Sequence, residues 1–121
     1  MPRERPAEID WLEEVFEGSA RITARRMFGG WGVYADALFF ALISDDRLWL
    51  KADAASDAEW DAAGCARLTF DFGEGKQAGS LNYRLAPDDT LDDPQAMRHW
   101  ADLALAAAAR SAAKAAGAKR R

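Results

Sequence analysis

The sequence predicts one α+β domain in two layers, a single antiparallel sheet with helices packed on one face, in the order α-β-β-β-α-β-β-α. Three observations predict it. Apolar residues recur at helical spacing near the start, in the middle and near the end, while the segments between them alternate with period two or are apolar on both faces. The reversals between the first strands are only two or three residues long, which antiparallel neighbours alone allow. A chain of 121 residues that is 50% hydrophobic is the size of one domain and can fill one core without disulfides or metal.

Each element follows from its residues. Ile9, Leu12, Val15 and Phe16 recur as one helix face over about Ala7 to Glu17, with Pro6 near the first turn and Gly18-Ser19 as the stop. Three strands are then expected, about Ala24 to Tyr34, Leu38 to Ser44 and Arg47 to Lys51, reversing at Ala35-Asp36-Ala37 and at Asp45-Asp46. Ser56-Asp57-Ala58-Glu59 reads as a capping box that opens a second helix, and Gly64 should end it. Two more strands, about Arg67 to Phe72 and Ser80 to Leu85, flank a glycine-containing loop. In these, Leu68, Phe70, Phe72, Leu81, Tyr83 and Leu85 form the expected buried face, and Thr69, Asp71, Asn82 and Arg84 the wet one. The last helix starts with Asp93 as cap and Pro94 in the first position. Its inner stripe runs through Met97, Trp100, Ala101, Leu103 and Ala104 to Ala107 or Ala108, and Gly117 marks its expected end. The domain should occupy the whole chain, 1–121, with a core over about residues 7 to 109 and a basic, Ala-rich tail over about 110 to 121.

Composition narrows the function. No uninterrupted apolar run is long enough to span a membrane, and the proline-containing start lacks the apolar centre of a signal peptide, so a cytoplasmic protein is expected. The single cysteine, Cys65, has no internal disulfide partner and fits a reducing compartment. The formal net charge of −4 is unevenly spread: after Asp102 come Arg110, Lys114, Lys119, Arg120 and Arg121 with no acid, leaving 11 basic against 20 acidic residues in the body. An acidic body repels a polyanion, whereas the basic tail either attracts one weakly or keeps the terminus solvated.

The most informative segment is Arg25-Arg26-Met27-Phe28-Gly29-Gly30-Trp31-Gly32-Val33-Tyr34. Together with Leu38-Phe39-Phe40-Ala41-Leu42-Ile43, Leu48-Trp49-Leu50-Lys51, the later Leu81-Asn82-Tyr83-Arg84-Leu85-Ala86-Pro87 and the helix of Trp100, it resembles the N-terminal domain of the TfoX/Sxy family of bacterial competence regulators. The likeness runs from about residue 8 to about residue 108, and its specific part is the Arg-Met-Phe-Gly-Gly-aromatic-Gly string. It implies a two-layer fold of the same element order. It also implies a regulatory role beside a cyclic-AMP receptor protein, held by longer members that commonly carry a second, helical domain. The present chain ends where that domain would begin and is expected as a stand-alone version.

Met27, Phe28, Gly29, Gly30 and Gly32 form the family motif, and their role is read as structural: glycines in a strand allow a bulge or a close approach. Exposed amides binding a phosphate beside Arg25 and Arg26 are the other reading, but the spacing is neither that of a dinucleotide fingerprint nor that of a P-loop. The aromatic residues point to an interface. A sheet covered by helices on one face leaves Trp31, Tyr34, Phe39 and Trp49 as a candidate apolar surface, rimmed by Arg25, Arg26 and Lys51, for a protein partner, a transcription factor among the candidates, or for a second copy. The alternative is that a helix wraps round to cover that face.

For catalysis the inventory is poor, and no catalytic residue, metal site or cofactor is expected. His99 is the lone histidine and Cys65 the lone cysteine, both read as structural. Asp88, Asp89, Asp92 and Asp93 lack the spacing of a calcium loop and suit a solvated turn before a helix. A small-ligand protein or enzyme with a pocket between sheet and helices is the competing class. Direct nucleic-acid binding, through Arg21, Arg25, Arg26, Phe28 and Trp31, lacks a helix-turn-helix, a zinc finger or a basic helical stripe to support it.

Overall fold

The computed structural model describes residues 5–27, 29–70 and 79–119. The elements are α1 (Ala7–Val15), β1 (Ile22–Met27), β2 (Gly30–Ala35), β3 (Leu38–Ser44), β4 (Arg47–Lys51), α2 (Asp57–Ala62), β5 (Arg67–Phe70), β6 (Gly79–Leu85), a 3-10 turn (Asp88–Leu91) and α3 (Pro94–Lys119). The strands form one antiparallel sheet in the order β1-β2-β3-β4-β6-β5. The α+β class expected from the sequence holds, with one strand more than its patterning suggested. The stretch from Ala24 to Tyr34, read as a single strand, folds back on itself: Met27 pairs with Gly30, and Gly29 takes φ +74° in the connection. Phe28 and the loop that contains Phe72 lie outside the described residues.

Tight turns set the register of the meander. Asp36 and Ala37 (φ 48° and 71°) join β2 to β3, and Asp45 and Asp46 (φ 54° and 60°) join β3 to β4. Two consecutive left-handed residues make a turn whose twist matches the strands on either side. One irregularity matters more. Val33 faces Ala41 while Tyr34 faces Phe39, so Phe40 is an extra residue in β3. Consequently Phe40, Ala41 and Ile43 all enter the core, and strict alternation, which groups Phe40 with Leu42, fails there.

All three helices pack on the same side. Ile9, Leu12 and Phe16 from the first helical segment, Trp60 from α2, and Met97, Ala101, Ala104 and Ala108 from α3 share one buried cluster with Ile22, Val33, Phe40, Ile43, Leu48 and Leu50 of the sheet. The small residues of α3 let its backbone lie close to the strands, and Pro94 at the first position with Asp93 accepting from the Gln95 amide (2.9 Å) caps it as expected. The helix continues through Gly117, and residues 109–117 are exposed, beyond the body of the fold.

Two local expectations are corrected. Ser56 and Glu59 do not cap α2. Instead Asp53 accepts from the Ser56 amide (3.1 Å) and the Ser56 hydroxyl oxygen accepts from the Asp53 amide (3.1 Å), so the reciprocal box sits one turn earlier. The face of β6 expected to be wet is the helix-covered one. Arg84 is 2% exposed and donates to Asp61 (2.7 Å), Asp57 (3.1 Å) and the Cys65 carbonyl (3.0 Å), tying α2 to the sheet. A buried arginine with these acceptors, and with Asn82 Oδ1 at 3.5 Å from its Nε, is satisfied, and removing them would strand its charge.

Candidate interaction surface

Register alone decides which side chains share the uncovered face. Leu48 and Leu50 enter the core, so Trp49 between them points away from it, and its cross-strand partners Leu42 and Leu85 go with it. By the same pairing Gly32 lies beside Leu42, Arg25 beside Gly32, Tyr34 beside Phe39, and Tyr83 beside Lys51. Of the residues singled out from sequence, the structure therefore brings Tyr34, Phe39, Trp49, Arg25 and Lys51 together. Trp31 and Arg26 belong to the opposite side. They are paired with each other, the Arg26 guanidinium lies 5.7 Å from the Trp31 ring centre, and Trp31 packs on the core near Ile43. Leu42 and Tyr83 were absent from the sequence-derived set, because an extra residue in β3 and the pairing of β4 with β6 place them here.

On this face the aromatic side chains form a row across the strands. Arg25 lies over Tyr34 (5.9 Å), Tyr34 stacks on Phe39 (5.1 Å between ring centres), Phe39 meets Tyr83 (6.1 Å), and Lys51 lies over Tyr83 (5.2 Å). A cation thus lies over each terminal ring of the row, Arg25 from β1 over Tyr34 and Lys51 from β4 over Tyr83 of the next strand, an arrangement held by the attraction of positive charge to ring faces. Gly32 makes room for it: a Cβ there would fall 2.9 Å from Phe39 Cε1 and 2.6 Å from the Met27 methyl. Gly29 lies in a turn, and Gly30 and Gly32 stand where a Cβ would meet the Ile43 carbonyl oxygen and the Met27 side chain. Tyr83 is 7% exposed, and burial pushes its hydroxyl up to about 12. Trp49 is 8% exposed, and its indole Nε1 is buried with no hydrogen-bond partner among the described residues.

The charge on the sheet is one-sided. Among the described residues none of its six strands contains an acid, and the strands carry Arg25, Arg26, Arg47, Lys51, Arg67 and Arg84. Arg67 and Arg84 meet the acids of α2, whereas Arg25 and Lys51 stand on the uncovered face without an ion-pair partner among the described residues. The acids lie on helices and turns.

The other residues weighed from sequence have local roles. His99 Nε2 meets Glu59 Oε2 at 2.6 Å on the exposed sides of α3 and α2. Cys65 is buried, which pushes its thiol up and away from the reactive thiolate form. Asp88, Asp89, Asp92 and Asp93 sit in or beside the 3-10 turn, and Arg21 backs onto the Asp36 turn through its amide (2.9 Å). Among the described residues the space between sheet and helices is filled by Trp60, Phe16, Phe40 and Met97. Clefts of about 290 and 410 Å³ lie at the rim, one beside Glu8, Arg47 and Asp88, the other beside Lys51, Asp53, Arg110 and Lys114.

An antiparallel sheet with helices on one face and an aromatic row with its cations on the other, where no described helix packs, defines an α+β domain. Residues 14–108 match the TfoX N-terminal domain family, and the chain belongs to it. A relative is the DNA transformation protein TfoX1 of Aliivibrio fischeri (strain ATCC 700601 / ES114), 34% identical over 65 residues, which are 50% of this chain and 31% of that protein. The match thus spans about a third of that relative's length. No helix among the described residues is long and apolar enough to cross a membrane.

Proposed function

We propose that this chain is a non-enzymatic regulatory module that works by binding a protein partner through its uncovered sheet face, in a competence-type regulatory system. The observation that carries the proposal is the row Arg25, Tyr34, Phe39, Tyr83, Lys51, with Trp49 and Leu42 beside it, on a side where no described helix packs. Apolar sheet surface of this kind is stabilised by being covered, and aromatic and arginine side chains are what interfaces concentrate. Membership of the TfoX N-terminal domain family and the relative named for DNA transformation support the regulatory side of the reading.

The partner is a different protein rather than a second copy, because among the described residues a second copy of this face offers no acid to Arg25 or Lys51. The test is site-specific photocross-linking in the source cells. A benzophenone amino acid at Phe39, and separately at exposed Asp102 on α3, is incorporated into the full chain and irradiated. A discrete protein adduct at residue 39 and none at residue 102 is the expected result. No adduct at residue 39, or equal labelling at both positions, would overturn the proposal.

A further inference from the structure

The partner's chemistry can be taken further, and this inference rests on the interface just proposed. We infer that the segment covering the sheet face is acidic, with carboxylates set to meet Arg25 beside Tyr34 and Lys51 beside Tyr83. The chain as a whole has a formal net charge of −4, yet by register this face carries Arg25, Arg47 and Lys51, and the strands as described hold no acid, so the positive charge of this face is local and opposes the charge of the body. A partner drawn to the molecule by its overall charge would be basic; one that fits this face must be the opposite.

Spacing makes the inference specific. Arg25 is on β1 and Lys51 on β4, three strand intervals apart, and the register sets Arg25 level with Trp49, two residues before Lys51, so the two positions lie roughly 16 Å apart at the usual strand spacing and rise. Carboxylates that far apart correspond to acids about four or six residues apart in an extended segment, where alternate side chains share a face, or about eleven apart on a helix laid across the strands, a separation that keeps both on one side.

A nucleic acid also brings negative charge, but single strands bind aromatic sheets by stacking bases on free ring faces. Here those faces are taken. Tyr34 is flanked by Arg25 and Phe39, and Tyr83 by Lys51 and Phe39. The Trp49 ring is 8% exposed. The acid helices and turns around the sheet would add repulsion along a continuous phosphate backbone.

The experiment extends the cross-link at Phe39: the adduct is digested and its partner peptide sequenced, with the full chain carrying either the native charges, Arg25→Lys, or Arg25→Glu with Lys51→Glu. The expected peptide holds at least two Asp or Glu at one of the stated spacings and no compensating Lys or Arg. Adduct yield should fall about ten-fold in the double reversal, stay within about two-fold of native in Arg25→Lys, and decline with added salt. Circular dichroism and a melting curve confirm that the variants fold; if the double reversal melts early, the salt series on the native chain carries the test. A neutral or basic peptide, or a yield indifferent to charge and salt, would overturn the acidic assignment and leave the sheet face as the interface. An adduct with nucleic acid would overturn both, and no adduct at residue 39 would remove the interface reading beneath it.

Discussion

Ala37 sits in the left-handed region at φ 71°, where an L side chain crowds the following carbonyl at a cost of roughly 1–2 kcal/mol. Glycine escapes that cost but loses more freedom on folding, so Ala37→Gly should stabilise the domain by about 0.5–1 kcal/mol, a rise of roughly 2–5 °C in Tm. Thermal unfolding reads it directly. A fall in Tm would mean that the β2 to β3 turn is not held as described. The motif glycines separate in the opposite sense. A Cβ at Gly30 would run into the Ile43 carbonyl oxygen, a backbone atom, whereas at Gly32 it meets the Met27 side chain and the edge of Phe39, which can shift. Gly30→Ala should therefore cost more than Gly32→Ala, roughly 3 against 1 kcal/mol in denaturant unfolding. Equal losses would show that the glycines are not distinguished by what they face. From sequence this cluster reads as backbone geometry, with phosphate-binding amides as the other reading. The sequence hid that Met27 and Gly30 pair across a turn, because a glycine pair inside an apolar run reads equally well as a bulge in one long strand.

Among the elements, the ends of helices were more legible than their partners. Pro94 after Asp93, the glycines at positions 18 and 64, and the stripe from Met97 to Ala108 could all be read from local order, since caps and helical faces depend on neighbours within a turn. What stayed hidden depends on distant chain. Arg84 looked solvent-facing because Asp57 and Asp61 lie 27 and 23 residues away. Phe40 looked like a partner of Leu42 because a bulge shows only once the opposite strand is in place. The capping box at α2 moved one turn upstream because Asp53 is held twice over. It accepts from the Ser56 amide, and its carboxylate takes Arg110 of α3 at 2.6 and 2.9 Å. The Arg110 guanidinium, with Ser56 behind it, holds the Asp53 carboxyl below the usual range. A depressed folded value means stability that is present above the unfolded carboxylate range and lost as pH falls through the folded value. Asp53→Asn keeps the cap and removes the charge. Its Tm should fall less than the native Tm between about pH 6 and about pH 3, and amide exchange in residues 109–117 should quicken at neutral pH. Parallel pH curves for the two proteins would show that Arg110 does not fasten the end of α3.

Across the whole molecule, the acids among the described residues lie outside the strands, and that distribution governs whether two chains can meet face to face. The face has apolar matter enough to associate, since Tyr34, Phe39, Leu42 and Trp49 lie side by side. It also carries like charges beside Tyr34 and Tyr83. A pair of like charges about 8 Å apart costs only about 0.5 kcal/mol in water, but a two-fold contact repeats each repulsion, and no described acid on the face relieves it. The balance should therefore turn on screening, which shortens the reach of charge from about 30 Å at 0.01 M salt to about 3 Å at 1 M. Sedimentation equilibrium over a wide concentration range should give a single chain at low salt and weak association as salt rises. Arg25→Ser with Lys51→Ser should associate already at low salt, because it keeps the aromatic row and removes its guards. A stable dimer of the native chain at low salt would contradict this, and would mean that the apolar row overcomes its own charge and that a second copy, not an acidic partner, covers the sheet.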